Sequence, residues 1–300
     1  MMGKLNIDPT SNNLCETPIL ISGSARSGTT IIGKLLHTMK GVEYNYEPPV
    51  LFSLFATISD IPTCLFKLYY ETYLYEEFFV NSIAGRFINC NTVDDTSIHQ
   101  VKTAEEISKR LDGSLRKDEV KSTIDNPQII YKMPDIVPMI TKLLDIYPRT
   151  RTLIMRRDAL GVFHSIKKKG WFSDEVLKKE SRIWPFRFID NSQIKIPFWV
   201  PVNQSEFWVS ASEVDRIGLY YLNTNSEYDF DPSLIVHYGD LVEKPRKTMN
   251  KIMDTFGLTA GGKTEEILAT ISNNRKKPSK KIFDEMSPDI REKVLYWSSR

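Results

Sequence analysis

Pro18-Ile19-Leu20-Ile21-Ser22-Gly23-Ser24-Ala25-Arg26-Ser27-Gly28-Thr29-Thr30-Ile31-Ile32-Gly33-Lys34-Leu35-Leu36 joins an apolar run, a turn of small residues and a segment with helical apolar spacing. The pattern predicts a strand, a tight turn and a helix start. Such a turn aims several backbone N–H groups and the positive end of a helix at one spot, so an anion is expected there. A nucleoside-triphosphate loop would read Gly-x-x-x-x-Gly-Lys-Ser/Thr. Here Thr29 follows Gly28, and Arg26 is the cation inside the loop.

A second stretch has the same logic. Arg151-Thr152-Leu153-Ile154-Met155-Arg156-Arg157-Asp158 reads as a strand ending in two arginines, and Ala159 to Ile166 reads as a helix carrying Ser165. A planar guanidinium grips phosphate oxygens in a fork, and a hydroxyl at the helix start adds a neutral donor. Ile129-Ile130-Tyr131-Lys132-Met133-Pro134 and Leu144-Asp145-Ile146-Tyr147-Pro148 precede this stretch. Leu234 to Val242, with His237-Tyr238 and Pro245, follow it. In content and order the four segments resemble the sulfotransferases that use 3′-phosphoadenosine-5′-phosphosulfate (PAPS), in the bacterial-type branch whose base is a glutamate, as in the protein-tyrosine sulfotransferases.

That resemblance implies an α/β fold: three layers, α/β/α, around a mainly parallel sheet, related to the P-loop fold, with helical and irregular insertions on the acceptor side. It assigns Gly23, Ser24, Ala25, Arg26, Ser27, Gly28, Thr29 and Thr30 to the 5′-phosphosulfate and Arg157 and Ser165 to the 3′-phosphate. Tyr238 lies in the family's Tyr-x-x-Leu stretch. Arg275 and Lys276, in the basic tail, are expected to close over the adenine end. Lys132 is expected to assist the departing phosphate as a mobile, hydrated point charge, and Arg26 to sit beside the transferred group.

The base is a choice within the family. The Lys-Thr-His pattern of cytosolic small-molecule enzymes is replaced by Lys132-Met133-Pro134, so that histidine is missing. Glu47, in Gly41-Val42-Glu43-Tyr44-Asn45-Tyr46-Glu47-Pro48-Pro49, falls where the tyrosine-sulfating enzymes place their glutamate. Glu43 is the nearest rival; one helical turn away and without motif support, it is expected to be nearly silent on mutation. Of the four histidines, His37 reads as a helix C-terminal residue, His164 as packing, and His237 as facing away from Tyr238 on a strand. His99 stays open as an acceptor-side group.

Strand–helix alternation implies a parallel sheet covered on both faces. Residues 1–16 read as a polar arm and 17–300 as one domain, with 171–232 as a lid or acceptor-side insertion rich in Trp and Pro. The aromatic-rich span from Leu51 to Phe79 reads as amphipathic helices packed in a core, and a helix is expected near Ala104 to Leu111. Net charge is +2, so nothing demands a nucleic acid. The three cysteines lack metal-ligand spacing. Without a signal-peptide core or an apolar run of spanning length, a cytoplasmic protein with no stable membrane insertion is expected, or a trimmed piece of an anchored one. The expected product is 3′-phosphoadenosine-5′-phosphate (PAP), with no metal. The acceptor offers a hydroxyl or amine and is a small molecule, secondary metabolite, glycan or lipid; Pro197-Phe198-Trp199-Val200-Pro201 resembles bacterial-type enzymes. A homodimer stays open. The alternatives are a P-loop-like nucleotide kinase and a non-catalytic PAP-binding or other nucleotide-binding protein.

Overall fold

The computed structural model describes residues 13–113, 119, 124, 126–179, 192–225, 228–271 and 279–298, and the backbone alone of 186–187. Arg275, Lys276 and Trp184 lie outside the described residues. Strands β1 (Ile19–Gly23), β3 (Gln128–Lys132) and β4 (Arg151–Arg156) form on apolar runs, and β2 (Val42–Tyr46) on Val-Glu-Tyr-Asn-Tyr. Two-residue strands β5 (Phe186–Arg187) and β6 (Ile196–Pro197) pair antiparallel, apart from the main sheet. Strand β7 (Leu234–His237) completes a five-stranded sheet in the order β2-β3-β1-β4-β7, parallel at every pairing.

Alternating residues feed two cores. Leu20, Ile129, Tyr131 and Ile154 join one buried cluster. Ile19, Ile21, Ile130, Leu153 and Met155 join the other. A strand buried on both faces reads as an unbroken apolar run, which is what β1 and β4 show. Helices Thr29–His37, Pro245–Phe256 and Thr264–Thr270 cover the second face. Helices Pro49–Ala56, Thr63–Glu71, Ile140–Ile146, Ala159–Lys169, Glu213–Asn225 and Pro288–Ser298 cover the first. This is the three-layer α/β/α arrangement expected.

From β1 the chain passes beyond β3 to reach β2, whereas β4 leads to β7 on the opposite side. The chain therefore diverges at the carboxyl ends of β1 and β4, where ligands of open parallel sheets bind.

The aromatic span contributes Phe52, Phe55, Phe66, Tyr70 and Phe79 to the core. Its last turn, Thr72–Val80, is π-helical. The helix Ala104–Leu111 forms where expected, closed by a capping box of Thr103 and Glu106. Much of the 171–232 segment differs from a loose lid. Trp199 and Trp208 are fully buried and meet edge to face with ring centres 5.3 Å apart. Tyr220 packs 4.9 Å from Trp199. Arg216, also buried, donates to the carbonyls of Trp208 (2.8 Å) and Phe172 (3.0 Å) and to Asp174 (2.6 Å). Trp- and Pro-rich sequence hides this, because the aromatics pack on each other rather than on a periodic face. No helix among the described residues is long and apolar enough to cross a membrane.

Candidate active site

The register sets the site. Tyr46 of β2 lies beside Lys132 of β3, and Ile21 of β1 beside the same lysine. The chain segments leaving β1, β2, β3 and β4 consequently start at one edge of the sheet. A cavity of about 860 Å³ lies there, lined among others by Arg26, Gly28, Thr30, Tyr46, Arg157 and Tyr238.

The loop after β1 needs glycine at both ends. Gly23 has φ 126° and Gly28 φ 90°. A Cβ on Gly23 would lie 2.3 Å from the Met155 carbonyl oxygen, and one on Gly28 would lie 2.6 Å from the Tyr238 ring. No side chain caps the helix that starts at Thr29, and Gly28 to Ile31 line the cavity. Its first-turn N–H groups therefore stand at the wall where an anion would sit. Ser24 and Ser27 hydrogen-bond each other inside the turn.

Two clusters flank this loop. In the first, the Lys132 ammonium lies 2.5 Å from a Glu47 carboxylate oxygen and donates to Thr30 Oγ1 at 3.1 Å. It also sits 4.1 Å from the Tyr46 ring centre. The lysine side chain is 1% exposed and the glutamate 29%, so Lys132 is not the mobile, hydrated charge expected. Burial lowers its pKa, opposed by Glu47. Burial and the Glu47 charge raise that of Tyr46. Glu47 adopts φ 44° although Pro48 follows it. A residue before proline is pushed to extended backbone, and a left-handed non-glycine conformation costs about 1–3 kcal/mol. The Glu47 N–H, donating to the Lys132 carbonyl at 3.0 Å, helps hold it there.

The second cluster joins Arg26, Arg157, Ser165 and Tyr238. Arg26 Nε donates to Ser165 Oγ at 2.8 Å. Arg157 donates to the Arg26 carbonyl at 2.8 Å, and its guanidinium lies 4.6 Å from the Tyr238 ring centre. The Arg26 side chain thus reaches Ser165. Ser165 itself lies in the second turn of Ala159–Lys169, not at the helix start. Gly161 admits the Arg157 side chain, because a Cβ there would fall 2.3 Å from its Nε.

Asp135 was missed in the sequence. Its carboxylate, 1% exposed, accepts from Ala25 N–H at 3.3 Å and from the Tyr220 hydroxyl. That hydroxyl in turn accepts from Ala25 N–H. Burial raises the Asp135 pKa to about 7, Tyr220's bond opposing and Glu47's charge assisting. Asp135 too has a positive φ, 74°, as does Arg26 at 70°. The available signal was an aspartate directly after Lys132-Met133-Pro134, at a strand's carboxyl end. Tyr220 carried none, being one apolar position on a long helix.

Glu43 is not solvated. It lies on β2 and pairs with Arg110 at 2.6 Å, side chains 4% and 11% exposed. His99 is exposed on a short turn, and His164 contacts the Ser279 carbonyl. His237 ends β7, and Tyr238 begins the next helix, so strand alternation does not relate them.

No protein-family model matches the chain, and no curated protein matches it significantly. Among solved structures, it is similar to the sulfotransferase STF1 from Mycobacterium tuberculosis H37Rv, at 14% identity over 93% of this chain and 76% of that one, TM-score 0.44. It is also similar to the sulfotransferase domain of the Synechococcus PCC 7002 olefin synthase, at 10% identity over 94% and 93%, TM-score 0.44. The sulfotransferase domain from the curacin biosynthetic pathway matches at 12% identity over 94% and 97%, TM-score 0.40.

Proposed function

We propose that this protein transfers the sulfuryl group of PAPS to a hydroxyl group and releases PAP. The observation that carries the reading is that the loop after β1 and Arg157 after β4 meet at one cavity, with the Lys132–Glu47 pair directly behind its lining residues Thr30 and Tyr46. The four motifs of the sequence and their order support it. The cavity suits a nucleotide in volume, lying within the ~300–1,000 Å³ of small-molecule sites. Its loop offers unshared first-turn amides to a 5′-phosphate, and Arg157 with Ser165 offers charge-assisted and neutral donors to a 3′-phosphate.

In the transfer, the acceptor oxygen forms a bond to sulfur as the bond from sulfur to the bridging oxygen breaks. The electron pair goes to that oxygen, which leaves as a phosphate oxygen of PAP. Glu47 takes the acceptor's proton, and Lys132 offsets charge on the leaving oxygen. Little covalent work falls to the protein, so positioning and electrostatics supply the rate. Lysine suits the role because burial leaves its charge unscreened by water. Asp135 and Tyr220 act through Ala25, as positioning residues that fix the loop.

The test is transfer from PAPS to an acceptor panel, read by mass spectrometry, with calorimetry of PAP binding in EDTA. Binding that survives chelation and product heavier by one sulfuryl group are expected. Equal use of adenosine-5′-phosphosulfate, which lacks the 3′-phosphate, would overturn the Arg157–Ser165 assignment. Phosphate transfer from ATP in its place would overturn the whole reading.

A further inference from the structure

Beside the large cavity lies a smaller one of about 210 Å³. The two share Thr30, Lys34, Tyr46, Asp95 and Thr96, so one opens into the other. Thr30 and Tyr46 at this junction are the residues that touch the Lys132 ammonium. A molecule filling the small cavity therefore ends beside the Lys132–Glu47 pair.

Its walls are apolar where it narrows: Tyr44, Phe78, Phe87 and Ile98. Phe78 and Phe87 meet edge to face at 6.1 Å. Gly33 makes room for Tyr44, since a Cβ there would lie 2.2 Å from the Tyr44 oxygen. His37 and Glu43 also line the small cavity, and Lys34 and Asp95 line it where it shares residues with the large cavity. Burial, with the charges of Lys102 and Arg110, holds the His37 pKa well below its ordinary value. The Glu43 carboxylate is engaged by Arg110. A cation reaching His37 and Glu43 would thus meet a neutral imidazole and an already paired carboxylate.

Size narrows the occupant. A dry cavity of about 150 Å³ accepts benzene. This one, at about 210 Å³, holds a single substituted ring, about eight non-hydrogen atoms by the same scale, and not two fused rings. We infer that the small cavity is the acceptor site, and that its substrate is an uncharged single-ring hydroxyl compound, a phenol or a cyclic alcohol. The inference rests on the sulfuryl-transfer reading for its chemistry. The ring lies among the aromatic walls, with the hydroxyl at the junction, where Glu47 takes its proton.

Saturation-transfer NMR on the full chain, with and without PAP, tests this using phenol, cyclohexanol and 2-naphthol as probes. Two variants bear on the walls. Ile98→Trp fills the cavity, and Phe87→Ala, at a half-exposed position, widens it. Binding of one of the single-ring probes in preference to 2-naphthol is expected; which one binds separates phenols from alcohols. Ile98→Trp should weaken that binding about tenfold or more, with PAP affinity kept within about twofold. Phe87→Ala should shift preference toward 2-naphthol by about threefold. Wild-type protein binding 2-naphthol as well as the single rings would overturn the proposal. So would an unchanged preference between the single rings and 2-naphthol in Phe87→Ala, which decides the matter if Ile98→Trp does not fold. Ring binding without PAP binding would instead remove the donor reading and leave the cavity assignment standing.

Discussion

The two flanks of the candidate donor cavity are built on opposite principles. Around Lys132 the ammonium and the Asp135 carboxyl are buried, Glu47 is partly exposed, and the backbone is held in left-handed conformations at Glu47 and Asp135. Around Arg157 the charges face the cavity, and Arg26 is exposed. Desolvated groups interact strongly and reorganise little, which suits charge that develops only during reaction. An exposed arginine such as Arg26 binds a charge already present, and water screens part of the gain, less so at Arg157, whose side chain is 12% exposed. The first flank should therefore govern kcat and the second KM, and each variant below checks one side of that division.

The largest effect is expected at Glu47. Glu47→Gln keeps the shape and most hydrogen bonds but removes the proton acceptor. The value of kcat should fall by about 10²–10⁴-fold, the worth of a positioned base, while PAP affinity stays. The wild-type rate should fall toward acid pH, since a base must be deprotonated. Steady-state kinetics and calorimetry on the same variant read both. Near-normal kcat with an unactivated alcohol acceptor would remove Glu47 from the mechanism.

Asp135 sharpens the contrast through stability. Its folded pKa, about 7, lies above the ordinary value of 3.8. Between these the folded state keeps a proton that the unfolded chain has lost, so the contribution to stability is present below pH 4 and lost as pH rises to 7. The slope is about 1.4 kcal/mol per pH unit while one proton separates the states. Asp135→Asn cannot titrate, so the difference between the two proteins in urea melts should change across this window and level off above it. A difference independent of pH would show that Asp135 holds Ala25 and Tyr220 without changing its own charge between the folded and unfolded states.

What the sequence disclosed follows the same division. Gly23, Gly28 and Arg157 sit in short contiguous motifs whose chemistry is local: a turn, a helix start, a strand end. Their places could be read one segment at a time. Asp135, Tyr220 and Glu43 owe their roles to partners 110, 195 and 67 residues away, and no local pattern carries that. The burial of Glu43 is hidden in the sequence because its strand lies in a stretch broken by Gly41 and Pro48. The burial of Lys132 was hidden likewise, since a lysine before a turn gives no sign that Tyr46 and Thr30 will enclose it.

On the accessible flank, Arg157→Ala should raise the KM for PAPS by about 10–100-fold, the range of a hydrogen bond to a charged group. The value of kcat should change little. Raised salt should narrow the gap between wild type and variant, because partly exposed charges are screened. If kcat fell as far as KM rose, the division between the flanks would fail, since Arg157 would then act in the transition state as well.

Ser165→Ala should have the smallest effect. The hydroxyl contributes one neutral donor to a phosphate, and it also accepts from Arg26 Nε at 2.8 Å. Losing a typical hydrogen bond costs about 0.5–1.5 kcal/mol, or about 2–10-fold in KM. Arg26 lies on an exposed loop turn and can take water in place of the serine, so its own loss is partly recovered. Combining Ser165→Ala with Arg26→Ala separates the two roles. If Ser165 mainly orients Arg26, the double variant should be no worse than Arg26→Ala alone. If it mainly binds phosphate, the two penalties should add. A preference for PAPS over adenosine-5′-phosphosulfate that drops in Ser165→Ala would place the hydroxyl at the 3′-phosphate. An unchanged preference, with kcat lowered, would instead move Ser165 to the transfer side through Arg26 and erase the boundary between the two flanks.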